Sequence, residues 1–404
     1  METKTLAKYV PQLTGIRAIA AYMVFAHKIP FPLEVLPPVP AAMLEELHIG
    51  VTMFFVLSGF VIYWNYADTV KLNKTWFEGY LTNRFARLYP VYFVLTVATL
   101  IVRDQSEAFD WIINLTFVRG FSNPLKYAGV AQGWSLTPEW CFYLAAPFLF
   151  ILIKRYGFLF PLLGVYAVGC LLLFAGESIS HTINIYHFFR GFDFMAGSTF
   201  FGRAFEFFAG MYLARHLMER KNVAPARSRP VCTWSALGLI AASVYALSTF
   251  QEPAYHFGVE HPVGRVLNNF VLPVFFCLLF FGLITEQSLF RRFLSSKLMV
   301  LLGKSSYSFY LIHIGIFLNV LAFILPITTL MAPFPNLWIY FAGFLLMNLF
   351  ALAIYFLIER PMNIFLRRTL SSKPKMETPA KNPPAPEASV LQAVPAKPMP
   401  FGAK

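Results

Sequence analysis

Long apolar stretches separated by short polar segments follow one another from about residue 12 to residue 358. Such stretches predict membrane-spanning helices, because about 20 apolar residues cover the hydrocarbon core of a bilayer and about 17 is the lower limit. The predicted spans are residues 12–29, 47–66, 89–103, 134–153, 157–175, 199–214, 232–249, 264–285, 299–324 and 335–358. The third and the sixth are short and must include flanking polar residues. The pattern predicts an all-α, polytopic bundle of about ten transmembrane helices.

Basic residues are distributed unevenly between the loops, and this distribution predicts the orientation. An even number of spans puts both termini on one side, and the loops of that side contain most of the basic residues: Lys4, Lys8, Lys71, Lys74, Arg84, Arg87, Lys154, Arg155, Arg215, Arg220, Lys221, Arg227, Arg229, Arg291, Arg292, Lys297 and Lys304. That side, with both termini, is expected to be cytoplasmic. The net charge of +13 therefore reflects membrane topology, and no nucleic-acid partner is expected.

Composition supports the membrane assignment and divides the chain into two parts. The chain is 57% apolar and 13% charged, whereas about a quarter of the residues of soluble domains are charged. Residues 1–370 are predicted to form the transmembrane domain. Residues 371–404 contain eight prolines and five lysines, which predicts a disordered cytoplasmic tail that touches anionic lipid. The four cysteines form no C-x-x-C pair, so no metal site is expected.

Two groups of basic residues lie in or next to the predicted spans. Arg17 and His27 lie ten residues apart in the first span, which is about 15 Å along a helix. One could face a cytosolic anion while the other acts deeper, although both could also be interfacial anchors. Arg84 and Arg87 share a helix face before the third span and suit a polyphosphate ligand. Ordinary positive-inside anchoring is the alternative for this pair.

Three further groups place polar residues inside predicted spans. Glu139 begins the fourth span, where the helix dipole favours a carboxylate, but Trp134, Ser135 and Tyr143 around it resemble a substrate-binding environment. Arg203 and Glu206 are spaced to form a buried ion pair, and a structural role for this pair is slightly favoured over a functional one. Ser306, Tyr310 and His313 lie at i, i+4 and i+7 and form one polar stripe.

In this order the motifs resemble the acyltransferase-3 family of bacterial membrane acyltransferases. The resemblance covers about residues 13–361 and rests on these segments: L-T-G-I-R with His27, F-F-V-L-S-G-F including Ser58, R-F-A-R-L-Y-P, W-S-L-T-P-E-W-C-F-Y, R-A-F-E-F-F-A-G, S-Y-S-F-Y-L-I-H, and E-R-P beginning at Glu359.

The resemblance implies a multi-pass enzyme of the bacterial inner membrane. Such enzymes take an acyl group, commonly acetyl, from cytoplasmic acyl-CoA and place it on a hydroxyl of a carbohydrate or glycolipid, such as an exported polysaccharide or lipopolysaccharide. The thioester is already activated, so acyl-CoA is expected as a co-substrate, with no bound cofactor or metal. A separate periplasmic or glycan-assembly protein could complete the transfer.

The family's functional residues fall on particular positions of this chain. Arg17 and His27 match its essential arginine and histidine, Arg84 and Arg87 its arginine motif, and Glu139 its glutamate. Many members place the histidine eleven residues after the arginine, where this chain has Lys28.

The expected roles follow from this match and from the chemistry. His27 would take the acceptor proton, since histidine titrates near neutral pH, and His313 is the alternative base. Glu139 would orient the imidazole or the acceptor, while Arg17 would guide the pantetheine arm or stabilise charge.

Two other classes of protein fit the polar spans. A transporter or flippase for a glycan or small acid also needs polar residues within its spans. The arginines at the cytoplasmic entrance, and the absence of a visible internal repeat, argue against it. A non-catalytic scaffold of envelope assembly would neither bind nor hydrolyse acyl-CoA.

Overall fold

The computed structural model describes residues 10–28, 36–180, 187–220, 229–252, 255–315 and 337–370. The described residues form helices and no strands, apart from two isolated bridges. The α-helices are α1 (Pro11–Lys28), α2 (Pro38–Glu45), α3 (Gly50–Tyr66), α4 (Lys74–Val102), α5 (Ala108–Leu115), α6 (Leu136–Tyr156), α7 (Leu159–Ser180), α8 (Phe192–Ser198), α9 (Ala204–Glu219), α10 (Val231–Ser248), α11 (Pro262–Val266), α12 (Leu272–Thr285), α13 (Leu289–Leu294), α14 (Lys297–Ile312), α15 (Leu337–Ile354) and α16 (Arg360–Leu370). The predicted all-α class is confirmed, and the predicted tail at 371–404 lies outside the described residues.

Seven helical segments in the described part of the chain are long and apolar enough to cross a membrane. They are Pro38–Tyr66, Lys74–Val102, Ala131–Tyr156, Leu159–Ile179, Val231–Ser248, Pro262–Thr285 and Phe341–Leu370. The other three predicted spans fall on α1, α9 and α14, which have 18, 16 and 16 residues. The total of about ten crossings, and the cytoplasmic position of both termini, stay predictions.

Helix α4 begins well before the predicted start at residue 89. The side chain of Asn73 accepts a hydrogen bond from the backbone N–H of Trp76, at 2.8 Å, and caps the helix. The helix then continues through Pro90 to Val102. Arg84 and Arg87 therefore lie inside a long helix rather than at the entrance to a short one.

The predicted sixth and ninth spans also differ from the structure. The segment predicted at 199–214 is broken, because α8 ends at Ser198 and α9 starts at Ala204. Arg203 is consequently the residue that precedes α9, and Glu206 lies in its first turn. His313 was expected in the middle of a span, but α14 ends at Ile312 and Gly315 adopts a positive φ of 86°. His313 therefore lies at a helix end, where the chain turns.

Helices α1, α3, α9, α12 and α14 form the centre of the bundle. Helix α3 packs on α9, α1 on α14, and α10 on α12. Phe207 of α9 is fully buried and stacks on Phe55 of α3 and on Phe142 of α6. Helix α7 instead exposes large apolar side chains such as Leu171 and Phe174, as expected for a lipid-facing helix.

The close approach of α3 and α9 depends on two glycines. A Cβ atom on Gly59 would collide with the backbone of Phe207, and one on Gly210 would collide with the backbone of Val56. Small residues at crossing points let the backbones of membrane helices touch. This crossing also fixes Ser58, the neighbour of Gly59, against the site described below.

We expect Gly59→Ala and Gly210→Ala to destabilise the protein by about 1–3 kcal/mol each, because backbone atoms cannot move aside as a flexible side chain can. Gly238→Ala in α10 is the matched control, since a Cβ at that position meets no atom within 4 Å. Alanine is also the better helix former there. Thermal unfolding in detergent measures all three, and an equal midpoint for Gly59→Ala and Gly238→Ala would contradict the close approach.

Candidate active site

A cavity lined by four arginines opens between α1, α3, α4, α6, α14 and α16. We call it the arginine cavity, and its volume is about 420 Å³. Its polar lining residues are Arg17, Ser58, Asn65, Tyr66, Arg84, Arg87, Ser135, Glu139, Tyr143, Tyr307, Tyr310 and Arg367. Glu139 is the one acidic residue among them in the described part of the chain. The cavity is therefore strongly positive and suits a polyanionic ligand.

Arg84 is the most enclosed of these four arginines, with 8% of its surface exposed. Its guanidinium donates to the Tyr66 hydroxyl at 3.0 Å. It also lies over the rings of Tyr66 and Tyr143, at 5.2 and 5.9 Å from their centroids. These contacts hold the side chain in place without neutralising its charge, which stays available to a ligand.

Arg17 and Arg87 lie where the arginine cavity meets a second one. That neighbouring cavity, of about 440 Å³, is also lined by Lys304 and Glu359. The Nε of Arg17 has no hydrogen-bond partner among the described residues. The carboxylate of Glu359 accepts from the Ser308 hydroxyl at 2.7 Å.

Glu139 makes its contacts in the arginine cavity. It accepts hydrogen bonds from the Tyr143 hydroxyl and from the Ser58 hydroxyl, the latter at 3.2 Å. Glu139 does not line the cavity that contains His27. Glu139 was expected to orient the His27 imidazole or the acceptor; its hydrogen bonds are to Ser58 and Tyr143 rather than to His27, and it lines the arginine cavity with Arg17 and Arg84.

A larger cavity lies next to the arginine cavity, at the other end of α1. We call it the histidine cavity, and its volume is about 700 Å³. Its polar and aromatic lining residues include His27, Lys28, His48, Asn123, Lys126, Tyr127, Gln132, Trp134, Asp193, Ser198, Arg203, Phe257, Glu260, Arg265, Asn268, Tyr310 and His313. Rings and hydrogen-bonding side chains of this kind suit a sugar-like ligand.

His27 and His313 face this cavity with the same ring geometry. The Nδ1 of His27 donates to the carbonyl of Glu45, and the Nδ1 of His313 donates to the carbonyl of Tyr310 at 2.6 Å. A carbonyl can only accept, so Nδ1 carries the proton in each ring and Nε2 holds the lone pair. Each Nε2 therefore has a lone pair that can accept a proton, and the Nε2 of His313 is buried with no hydrogen-bond partner among the described residues.

Val51 and Tyr310 line both cavities and form the wall between them. The Tyr310 hydroxyl is hydrogen-bonded to the Ser135 hydroxyl at 2.8 Å, and it donates to the Gln132 carbonyl at 3.2 Å. The ring of Tyr310 lies 5.4 Å from that of His313. The two cavities are thus separated by about one layer of side chains.

Most of the predicted site residues line one of the two cavities, whereas Tyr310 lines both, Glu359 lines the neighbouring cavity of about 440 Å³ and Glu206 lines none of the three. Arg17, Arg84, Arg87, Ser58, Ser135, Glu139 and Tyr143 line the arginine cavity, whereas His27, His313, Trp134 and Arg203 line the histidine cavity. Arg203 donates to Glu206 through Nε and one terminal nitrogen, at 2.8 and 2.6 Å, and to the Thr52 hydroxyl at 2.8 Å. The expected ion pair between Arg203 and Glu206 is therefore present.

Several residues of both cavities were not predicted from the sequence. Arg367 lines the arginine cavity from α16. His48 lies with its ring 5.4 Å from that of His27, and its Nδ1 is 3.7 Å from the buried carboxylate of Glu46. The position of His48, at the start of the second predicted span, was the one available signal for it.

Lys126 forms part of the wall of the histidine cavity in the loop before α6. Its ammonium donates to the Ser198 hydroxyl at 3.1 Å and lies 5.0 Å from the centre of the Tyr127 ring. Burial lowers the pKa of Lys126 below its usual value, and the charge of Glu260 acts in the opposite direction. Nothing in the local sequence pattern indicated this position.

Known proteins similar to this chain include one family and two curated relatives. A family model described as an acyltransferase domain (acyltransferase-3) matches residues 10–356. Acyltransferase MdmB of Streptomyces mycarofaciens is 29% identical in an alignment of 169 residues that covers 36% of this chain and 40% of that protein. Peptidoglycan O-acetyltransferase OatA of Listeria monocytogenes is 29% identical over 181 residues, 38% of this chain and 26% of that protein. The match thus spans less than half of each relative, and no solved structure matches the chain.

Proposed function

Because the chain belongs to the acyltransferase-3 family of membrane acyltransferases, we propose that it transfers an acyl group from acyl-CoA to a hydroxyl of a carbohydrate or glycolipid. The donor, commonly acetyl-CoA, binds in the arginine cavity, and the acceptor binds in the histidine cavity. One observation carries this proposal: a positive cavity and a histidine-lined cavity lie on either side of a thin wall formed by Val51 and Tyr310.

The arginine cavity supports a CoA thioester as the donor. The diphosphate and the 3′-phosphate of CoA together carry about four negative charges at neutral pH. Planar guanidinium groups bind phosphate oxygens through two parallel hydrogen bonds, which gives both strength and orientation. Arg17, Arg84, Arg87 and Arg367 offer four such groups around one cavity. By the positive-inside rule, this cavity opens to the cytoplasm of a bacterial inner membrane.

The histidine cavity supports a hydroxyl as the acceptor. A hydroxyl is a weak nucleophile and needs a base that takes its proton as it attacks. The acceptor oxygen bonds to the thioester carbonyl carbon while Nε2 of His27 accepts the proton. The C–S bond then breaks, and the CoA thiolate takes up a proton to leave as the thiol. His313, which faces the same cavity, is the alternative base.

The wall residues locate the reaction between the two ligands. Tyr310 and Val51 border both cavities, so a thioester that enters on one side meets the acceptor there. Arg17 and Glu139 lie on the donor side of this point and would orient the thioester, with Glu139 held in place by Ser58 and Tyr143. Surface polysaccharides and glycolipids such as lipopolysaccharide are the acceptor class we propose, and membrane lipid surrounds the bundle.

A labelled-donor experiment tests the proposal. Purified protein in lipid nanodiscs is incubated with radiolabelled acetyl-CoA and with glycans extracted from the native cells. We expect label to appear on the glycan, and to be lost in Arg84→Ala/Arg87→Ala by at least about tenfold, because two charge-assisted phosphate contacts are removed. Arg215→Ala on the surface of α9 is the control. Glycan movement across liposomes without labelling would indicate a transporter instead, and absence of both acyl-CoA binding and labelling would indicate a scaffold.

A further inference from the structure

The last described helix contributes a cation to the arginine cavity from outside the matched family domain. The family model ends at residue 356, whereas Arg367 lies on α16, which spans Arg360–Leu370. Helix α16 packs against α4, the helix that carries Arg84 and Arg87. Arg367 thereby joins the side chains of α1, α3 and α4 around the same cavity.

The position of Arg367 is specific along its helix. One residue corresponds to about 100° of helix rotation, so the neighbouring Arg368 points to a different side. Arg367 lines the cavity, whereas Arg368 does not. Among the described residues, Arg367 has no carboxylate within 4.0 Å. Four arginines around one cavity with one lining carboxylate repel each other unless an anion is present.

The four arginines differ in how deeply they are enclosed. Arg84 is buried, Arg17 and Arg87 are partly buried, and Arg367 is exposed at the opening. In a bound acyl-CoA the thioester must reach inward, toward the wall at Tyr310, so the nucleotide end stays at the opening. The 3′-phosphate is the outermost anionic group of that end and carries about −1.5 to −2 charge at neutral pH.

From this arrangement we propose that Arg367 binds the 3′-phosphate of the acyl-CoA donor, and that α16 is one wall of the donor site. The inference rests on the proposed function, since it assigns one phosphate of the proposed donor to one residue. The deeper Arg84 and Arg87 then bind the diphosphate. A donor without the 3′-phosphate has no partner for Arg367.

The test compares two donors and two adjacent arginines. Binding of acetyl-CoA and of 3′-dephospho-acetyl-CoA is measured for the wild type, Arg367→Ala and Arg368→Ala in nanodiscs. We expect Arg367→Ala to raise the Kd for acetyl-CoA about tenfold or more, and to leave the Kd for the dephospho donor within about twofold of wild type. Arg368→Ala should bind both donors as the wild type does. Arg367→Lys should restore part of the affinity, because it keeps the charge but loses the fork.

The outcomes separate this inference from the proposed function. If the wild type binds no acetyl-CoA, the proposed function fails. If the wild type binds it and Arg367→Ala binds it equally well, only the role of Arg367 is overturned. If Arg367→Ala lost affinity equally for acetyl-CoA and for 3′-dephospho-acetyl-CoA, the assignment of Arg367 to the 3′-phosphate would be overturned. Thermal midpoints equal to that of Arg368→Ala show that a loss of affinity does not come from misfolding.

Discussion

Replacing His27 with alanine should lower the rate of acyl transfer by about a hundredfold to ten-thousandfold, the usual contribution of a positioned general base. The His27 ring is oriented by its Nδ1 hydrogen bond to the Glu45 carbonyl, which leaves the lone pair on Nε2, and the residue lines the histidine cavity. The affinity for acetyl-CoA should stay unchanged, because His27 does not line the arginine cavity. Single-turnover transfer and donor binding, measured on the same preparation, check both statements.

His313→Ala is the decisive comparison for this prediction. His313 also donates from Nδ1 to a backbone carbonyl, and it lines the same cavity. If His313 were the base, His313→Ala would therefore lower the rate more than His27→Ala does. We expect His313→Ala to lose less than about tenfold in rate. His216→Ala in α9, a residue that lines neither cavity, controls for general effects of removing a ring. Full activity of His27→Ala together with loss in His313→Ala would move the base to His313.

The second large effect concerns stability and the buried pair of Arg203 and Glu206. Glu206 has no exposed surface, and Arg203 is 5% exposed. Arg203→Ala leaves the carboxylate buried without its partner, which should cost about 3–5 kcal/mol. The substitution also removes the hydrogen bond from the Arg203 guanidinium to the Thr52 hydroxyl of α3. The thermal midpoint and the yield of folded protein in detergent measure the effect.

An exposed pair of the same types provides the control. Arg215 and Glu219 of α9 form a salt bridge with side chains 40% and 60% exposed, and Arg215→Ala should cost less than about 1 kcal/mol. The double variant Arg203→Met/Glu206→Leu should recover most of the stability, because an apolar pair of similar volume needs no compensation. A midpoint for Arg203→Ala equal to that for Arg215→Ala would mean that the buried pair contributes no net stability.

Much of the fold and part of the candidate site could be predicted from the sequence. The apolar stretches predicted an all-helical membrane protein, and the ordered motifs predicted the acyltransferase-3 family, which the match over residues 10–356 confirms. The ten-residue spacing of Arg17 and His27 left open whether they act at different depths or are both interfacial anchors, and in the structure they line different cavities. The rise per residue of a helix was sufficient to give their separation, because both residues lie on α1.

Features that depend on distant segments could not be predicted. Glu139 was expected to orient the His27 imidazole or the acceptor, but the direction of its side chain depends on the packing of α6 against α3, which brings it to Ser58. Arg367 reaches the arginine cavity only because α16 folds back onto α4. The end of α14 before His313 and the break between α8 and α9 also depend on local backbone geometry, for which hydropathy gives no signal.

The thin wall at Val51 and Tyr310 has an electrical consequence. If the histidine cavity opens to the membrane face opposite the arginine cavity, water and ions reach close to the wall from each side, and most of the membrane potential falls across it. Moving one elementary charge through 100 mV requires about 2.3 kcal/mol. An acyl group is neutral, so the membrane potential does no work on it as it passes the wall, whereas each charge on the phosphates of the donor is acted on by the potential. The passage of the acyl group alone past Val51 and Tyr310 is therefore independent of the voltage.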